Sequence, residues 1–96
     1  MEREEPESSN RRSRVEILAD ILEVIAKGDA GPTKIMFKTN ISWLFLQKSL
    51  NLLATSEMLI EESRGSKKVY RLTSKGHKFL SDYMKVREEL LTTNVK

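Results

Sequence analysis

The residues best equipped for chemistry in this 96-residue sequence are cations. From Ser63 to Lys78 the chain reads SRGSKKVYRLTSKGHK, with Arg64, Lys67, Lys68, Arg71, Lys75 and Lys78 and no carboxylate. Cations grouped in this way suit contact with the phosphate backbone of a nucleic acid, where each contact releases a condensed counterion and makes binding salt-dependent. The other polar groups offer less. His77 is the single histidine, so no histidine pair exists to hold a metal, and it reads as a surface residue beside Lys75 and Lys78. Glu61-Glu62 and Glu88-Glu89 are adjacent in sequence, and neighbours on a strand point to opposite faces, so neither pair reads as an acid–base couple. There is no Gly-rich phosphate loop, nucleophile motif or metal-ligand spacing. The expectation is a binding protein without enzymatic activity and without a cofactor.

The composition limits what can position these cations. The net charge of +3 is unevenly spread: residues 1–10 hold four Glu and one Arg, and the remainder holds 16 basic against 10 acidic residues. The acidic lead reads as a solvated tail; its other reading is a mimic that competes with nucleic acid for the basic face. There is no cysteine, so no disulfide framework or thiolate metal site. No apolar run reaches the length of about 20 residues that spans a bilayer, and the N-terminus lacks the apolar stretch of a signal peptide. These features lead us to expect a cytoplasmic protein, associated with the nucleoid if it binds DNA. A chain of this length buries one thin core.

The elements follow from spacing and capping chemistry. Ser13-x-x-Glu16 has the form of a capping box, and Leu18, Ile21, Leu22 and Ile25 form a helical stripe, which predicts a helix over 13–27. Thr33 predicts the cap of a short second helix through Thr39, with Ile35, Met36 and Phe37 turned inward. Ser42 predicts the cap of a third helix to about Thr55, its buried face marked by Leu46, Leu50 and Leu53. Two runs of strand type, 58–62 and 68–72, predict a hairpin around a loop of about five residues containing Gly65. Thr73 then caps a last helix to about Thr92, in which Phe79, Tyr83, Val86 and Leu90 alternate spacings of four and three, as in a heptad seam.

The order helix, helix, helix, strand, strand, helix, with a basic hairpin tip, resembles a winged helix-turn-helix: mainly α, with one small β-hairpin and a long C-terminal helix. The words Arg11-Arg-Ser-Arg14 before EILADIL, Lys34-Ile-Met-Phe-Lys-Thr-Asn40, Ile41-Ser-Trp43 and Tyr70-Arg-Leu-Thr-Ser-Lys-Gly76 are similar to those of the small archaeal winged-helix DNA-binding proteins, some chromatin-like and some regulators. That resemblance covers roughly residues 11–92. With the acidic tail at 1–10, which is read from its composition, this gives the expected organisation: a winged helix-turn-helix DNA-binding domain at 11–72 and a dimerisation helix with a frayed end at 73–96. The expected partner is double-stranded DNA, bound by a homodimer.

Carried over by position, the recognition helix begins at Ser42 and presents Trp43, Leu44, Gln47, Lys48 and Asn51. The wing contacts fall on Arg64, Lys67 and Lys68, and the dimer interface on Phe79, Leu80, Tyr83, Val86, Arg87 and Leu90. Lys34 and Lys38, four apart on the second helix, and Arg12 before the first are expected on the phosphate backbone. Gln47 and Asn51 suit adenine and Lys48 suits guanine. One departure stands out: Trp43-Leu-Phe-Leu46 is apolar throughout, and only one stripe of a helix can face the core, so Trp43 or Leu44 must be exposed. An exposed patch of that kind suits a protein partner. The alternative function is therefore a winged-helix interaction module using Trp43, Leu44 and Phe45.

Overall fold

A computed structural model describes residues 13–93. Its elements run α1 (Arg14–Ala26), α2 (Pro32–Thr39), α3 (Trp43–Thr55), β1 (Leu59–Arg64), β2 (Lys67–Leu72) and α4 (Ser74–Thr93). The acidic lead, Arg11, Arg12 and Val95 lie outside the described residues.

The first helix starts where the capping box requires. Ser13 Oγ accepts from the Glu16 N–H at 3.1 Å, and the Glu16 carboxylate accepts from the Ser13 N–H at 2.8 Å, so two orphan donors are satisfied. Such a cap stabilises a helix by about 1 kcal/mol. Ser42 caps α3 in the same manner, accepting from the Phe45 N–H at 3.1 Å. The start of α2 differs from expectation. Thr33 is not its cap; Gly31 occupies that place and makes no side-chain hydrogen bond, while Pro32 stands at the first helical position, where its missing N–H has no cost. Asn40 ends α2 in the left-handed region at φ 58°, a conformation that Asn tolerates better than most residues.

The core joins all four helices to the hairpin. Ile17, Ile21, Leu22 and Ile25 of α1, Ile35 of α2, Leu46, Leu50 and Leu53 of α3, Leu59 of β1, Tyr70 of β2 and Leu80 of α4 form one buried cluster. The α1 face is turned slightly from the expected stripe: Ile17 is buried and Leu18 only partly so. Phe37 does not turn inward; it is 83% exposed. Its neighbours Ile35 and Met36 take the inward arc of this two-turn helix.

The hairpin is tighter than the sequence suggests. Leu59 pairs with Leu72 and Arg64 with Lys67, leaving Gly65-Ser66 as a two-residue turn in place of a five-residue loop. Gly65 has φ +65° at the first central position, where a type II′ turn requires a positive value. Ala30 adds a single antiparallel bridge to Tyr70, whose N–H donates to the Ala30 carbonyl at 2.9 Å. The loop after α1 is thereby tied to the middle of β2.

One junction sets the hairpin against the helices. α3 closes with two bonds: the Met58 N–H donates to the Leu53 carbonyl at 2.9 Å and the Glu57 N–H to that of Ala54 at 3.0 Å, with Glu57 left-handed at φ 64°. Thr73 N–H donates to the Met58 carbonyl at 3.1 Å, its hydroxyl donates to the Glu57 carbonyl at 2.6 Å, and the same hydroxyl accepts from the Gly76 N–H at 3.0 Å. Here α4 passes so near the strand that a Cβ on Gly76 would stand 2.0 Å from the Met58 carbonyl oxygen. Backbone cannot yield as a side-chain tip does. Gly76→Ala is therefore expected to destabilise the protein by about 3 kcal/mol, at the upper end of overpacking costs, read as a lower urea midpoint at an unchanged slope.

Candidate nucleic-acid interface

Three elements converge on one open cleft of about 890 Å³. The N-terminus of α2 supplies Gly31 to Lys34, α3 supplies Trp43, Gln47, Lys48, Leu50, Asn51 and Ala54, and the hairpin supplies Glu61 and Lys67 to Tyr70. Helical spacing explains the α3 set: Trp43, Gln47, Asn51 and Ala54 succeed one another at intervals of three or four, beside the buried Leu46–Leu50–Leu53 face. The hairpin contributes from its tip because the tight turn at Gly65-Ser66 keeps Lys67 and Lys68 within the ladder instead of on a long loop.

The cleft gathers most of the residues expected to meet DNA. Lys34, Trp43, Gln47, Lys48, Asn51, Lys67 and Lys68 all line it. Trp43 is 48% exposed and Leu44 is 65% exposed, as the apolar run required. Phe45 is half-buried. Ser42 is placed otherwise: its hydroxyl is engaged in capping α3. Lys38 is exposed at the end of α2 but is not part of the lining, and Arg12 lies outside the described residues. His77 is exposed in the first turn of α4.

The cations are not equivalent. Arg64 donates to Asp29 at 2.7 Å and to Glu62 at 3.2 Å. Arg71 donates to Glu62 at 3.1 Å and stands 3.9 Å from Asp29. Lys68 lies 3.5 Å from Glu61, and Lys78 is paired with Asp82 at 3.0 Å within α4. The segment without a carboxylate of its own thus finds acids outside it, on the loop after α1, on β1 and further along α4. Lys34, Lys48 and Lys67, all at the cleft, have no ion-pair partner among the described residues. For Arg64 the hydrogen bond to Asp29, then that to Glu62, favours the charged guanidinium still further. Asp29, Glu61 and Tyr70 were absent from the sequence-derived site, and no local signal marks them: the Asp29–Arg64 pair spans 35 positions.

The C-terminal helix divides into two halves. Leu80, expected at a dimer interface, is 9% exposed and belongs to the chain's own core. Phe79 and Tyr83 are half-buried against that core and stack on one another, with ring centroids 6.3 Å apart. Beyond them Val86, Arg87, Leu90 and Leu91 are exposed. No helix among the described residues is long and apolar enough to cross a membrane.

Three helices, a two-stranded wing and a following helix, with α2 and α3 joined by a short turn, define a winged helix-turn-helix protein. Residues 11–91 match the winged helix-turn-helix family, and the chain belongs to it. Among curated proteins it is similar to an uncharacterized protein of the archaeon Methanocaldococcus jannaschii, 27% identical over 78 residues that cover 81% of this chain and 76% of that one. Among solved structures it is similar to Sso10a-2, a DNA-binding protein from Sulfolobus solfataricus, at a TM-score of 0.69 and 27% identity over 86% of this chain and 90% of that one. The fold is shared as well with Lactococcus lactis ZitR, solved in complex with DNA, at a TM-score of 0.70 and 21% identity; that match covers 90% of this chain and 60% of ZitR.

Tyr70 lines the cleft with its side chain buried, and its titration tests this packing. Burial raises its pKa above the ordinary value of 10.0, and the charge of Glu61 and a hydrogen bond to it add to the rise. The folded state therefore favours the protonated phenol. Its contribution is complete below the ordinary tyrosine pKa and is lost as the pH rises through the folded-state value. Stability is expected to fall at alkaline pH, and Tyr70→Phe to flatten that fall, read from urea midpoints on either side of pH 10.

Proposed function

We propose that this protein binds duplex DNA as a homodimer, as a transcriptional regulator or chromatin-associated protein of the nucleoid in the cytoplasm. The observation that carries the proposal is the lysine-rimmed cleft between α3, the α2 N-terminus and the wing. In this reading α3 enters the major groove and a phosphate strand runs through the cleft, held by Lys34, Lys48, Lys67 and Lys68. Lys38 and Arg12 extend the track along the backbone. Gln47 and Asn51 stand where they can reach base edges, with Trp43 packing beside them on sugar or on a thymine methyl. Similarity to Sso10a-2, a DNA-binding protein, supports the assignment. The role is binding and not catalysis.

The division of labour follows the chain: residues 11–72 meet DNA, and 73–96 join two copies. Leu90 is 63% exposed and Val86 lies one turn before it on the same face. That face, flanked by Phe79, Tyr83 and Arg87, packs against its symmetric counterpart, while Leu80 stays with its own core. A second reading is favoured by the exposure of Trp43 and Leu44: these residues, with Phe45, dock a protein partner.

Duplex affinity is expected to fall with salt at a log–log slope of about −0.9 per phosphate contacted. Lys67→Ala combined with Lys68→Ala should weaken binding similarly across unrelated duplexes and make the slope shallower by about 1 to 2. An unchanged affinity and slope in titrations at low salt would remove the wing from the interface. Absence of duplex binding even at low salt would favour the protein-docking reading. Pairing is tested separately by light scattering: wild type should have twice the chain mass, and Val86→Asp with Leu90→Asp should halve it. A monomeric wild type at high concentration contradicts the pairing.

A further inference from the structure

The wing looks more cationic in sequence than it is in space. Arg64, Lys68 and Arg71 pair with Asp29, Glu61 and Glu62, so of the four hairpin cations only Lys67 is left without an ion-pair partner among the described residues. Asp29 is the carboxylate that does not come from the hairpin. It belongs to the loop between α1 and α2, and the fold fixes its place: the next residue, Ala30, is buried and bridged to Tyr70 in the middle of β2. Because Ala30 stands opposite Tyr70, Asp29 lies beside Arg71, on the hairpin face that also carries Glu62 and Arg64. One carboxylate thereby meets the guanidinium groups of both strands.

From this geometry we propose that Asp29 is an affinity-limiting residue of the wing: together with Glu62 it holds Arg64 by hydrogen bonds, it adds its charge 3.9 Å from the Arg71 that Glu62 binds, and it so keeps both guanidinium groups from DNA phosphate. The proposal rests on the reading of the cleft as a duplex channel and adds to it a restraint on how tightly the duplex is held. The physical basis is competition for a limited set of donors. A guanidinium bonded at 2.7 Å to a carboxylate must give up that bond, or share it, before it can present the same N–H to phosphate. A cation that remains with Asp29 displaces no counterion from the duplex, so it contributes neither affinity nor salt dependence. The wing then works through Lys68, and through Lys67 at the tip, both of which line the cleft, while Arg64 and Arg71 form a reserve on the face opposite Lys68. The fold needs no such pairing for cohesion, since exposed ion pairs contribute little to stability. The arrangement suits a protein whose contacts with the backbone must be reversible.

The test compares full-length wild type, Asp29→Asn, Asp29→Asn with Arg64→Gln and Arg71→Gln, and Glu88→Gln, which makes the same change of net charge in the second half of α4. Binding to one random-sequence duplex is titrated between about 50 and 200 mM salt, the range over which each phosphate contact changes affinity by roughly threefold. Asp29→Asn should bind more tightly than wild type at the lower salt. Its advantage should shrink about threefold for each recovered contact by the higher salt, and it should vanish when Arg64 and Arg71 are replaced as well. Glu88→Gln should not reproduce it. Circular dichroism confirms that each variant is folded. If Asp29→Asn binds no more tightly than wild type, or if the gain survives loss of both arginines or is matched by Glu88→Gln, the assignment of Asp29 is overturned while the duplex reading stands. If neither wild type nor Asp29→Asn binds duplex, both fall together.

Discussion

The fold depends on a crossing of two backbones at Met58 and Gly76. α3 must stop, the hairpin must open and close, and α4 must start, all within one small region. Met58 N–H bonds back to α3, the Met58 carbonyl accepts from Thr73, and Gly76 comes close enough that no Cβ fits. Thr73 uses one hydroxyl twice, donating to the Glu57 carbonyl and accepting from the Gly76 N–H, so the end of α3 and the start of α4 are secured by a single side chain. The hairpin is held at its base by this junction and along β2 by Ala30. Its pitch relative to α3 follows, and that pitch opens the cleft between them.

The electrostatics of the cleft are set by the same geometry. The hairpin's alternation sends Lys68 and Tyr70 to one face and Lys67, Val69 and Arg71 to the other, while the tip residues remain near both. Lysines line the cleft, and guanidinium groups turn to Asp29 and Glu62 on the far face. The two kinds of cation suit these places: Arg presents several donors in a planar fork to a carboxylate, whereas Lys is a mobile point charge suited to phosphate. The apolar start of α3 is the part of that helix least suited to reading base edges. Its residues beyond the first turn, Gln47, Lys48 and Asn51, carry the polar chemistry that faces outward.

Local features were legible because they depend on hydrogen bonds and periodicity within a few residues. The boxes and caps at Ser13, Ser42 and Thr73 involve partners three positions away, and Leu46, Leu50 and Leu53 share a face by helical geometry alone. The features that were misread depend on competition between distant elements. Phe37 has helical spacing and apolar character, yet Ile35 and Met36 fill the inward arc and leave it exposed. Leu80 has the right residue type for a seam between copies, yet the first half of α4 completes the intrachain core and claims it. The five-residue loop became a two-residue turn because Gly65 adopts a positive φ, which lets the ladder continue to the tip.

The sequence by itself determined the order of elements, their caps, the buried face of α3 and the concentration of cations from Arg64 to Lys78, because each of these is written in neighbouring residue types. Only the tertiary structure decided which of those cations are available. Charge counted along a chain ignores partners contributed from elsewhere, and the carboxylate of Asp29 reaches Arg64 across 35 positions because the loop after α1 is bridged to β2. The cleft belongs to the same class of fact. Its walls come from three elements whose separation no local pattern encodes, and whose placement rests on the absence of a single methyl-sized group at Gly76.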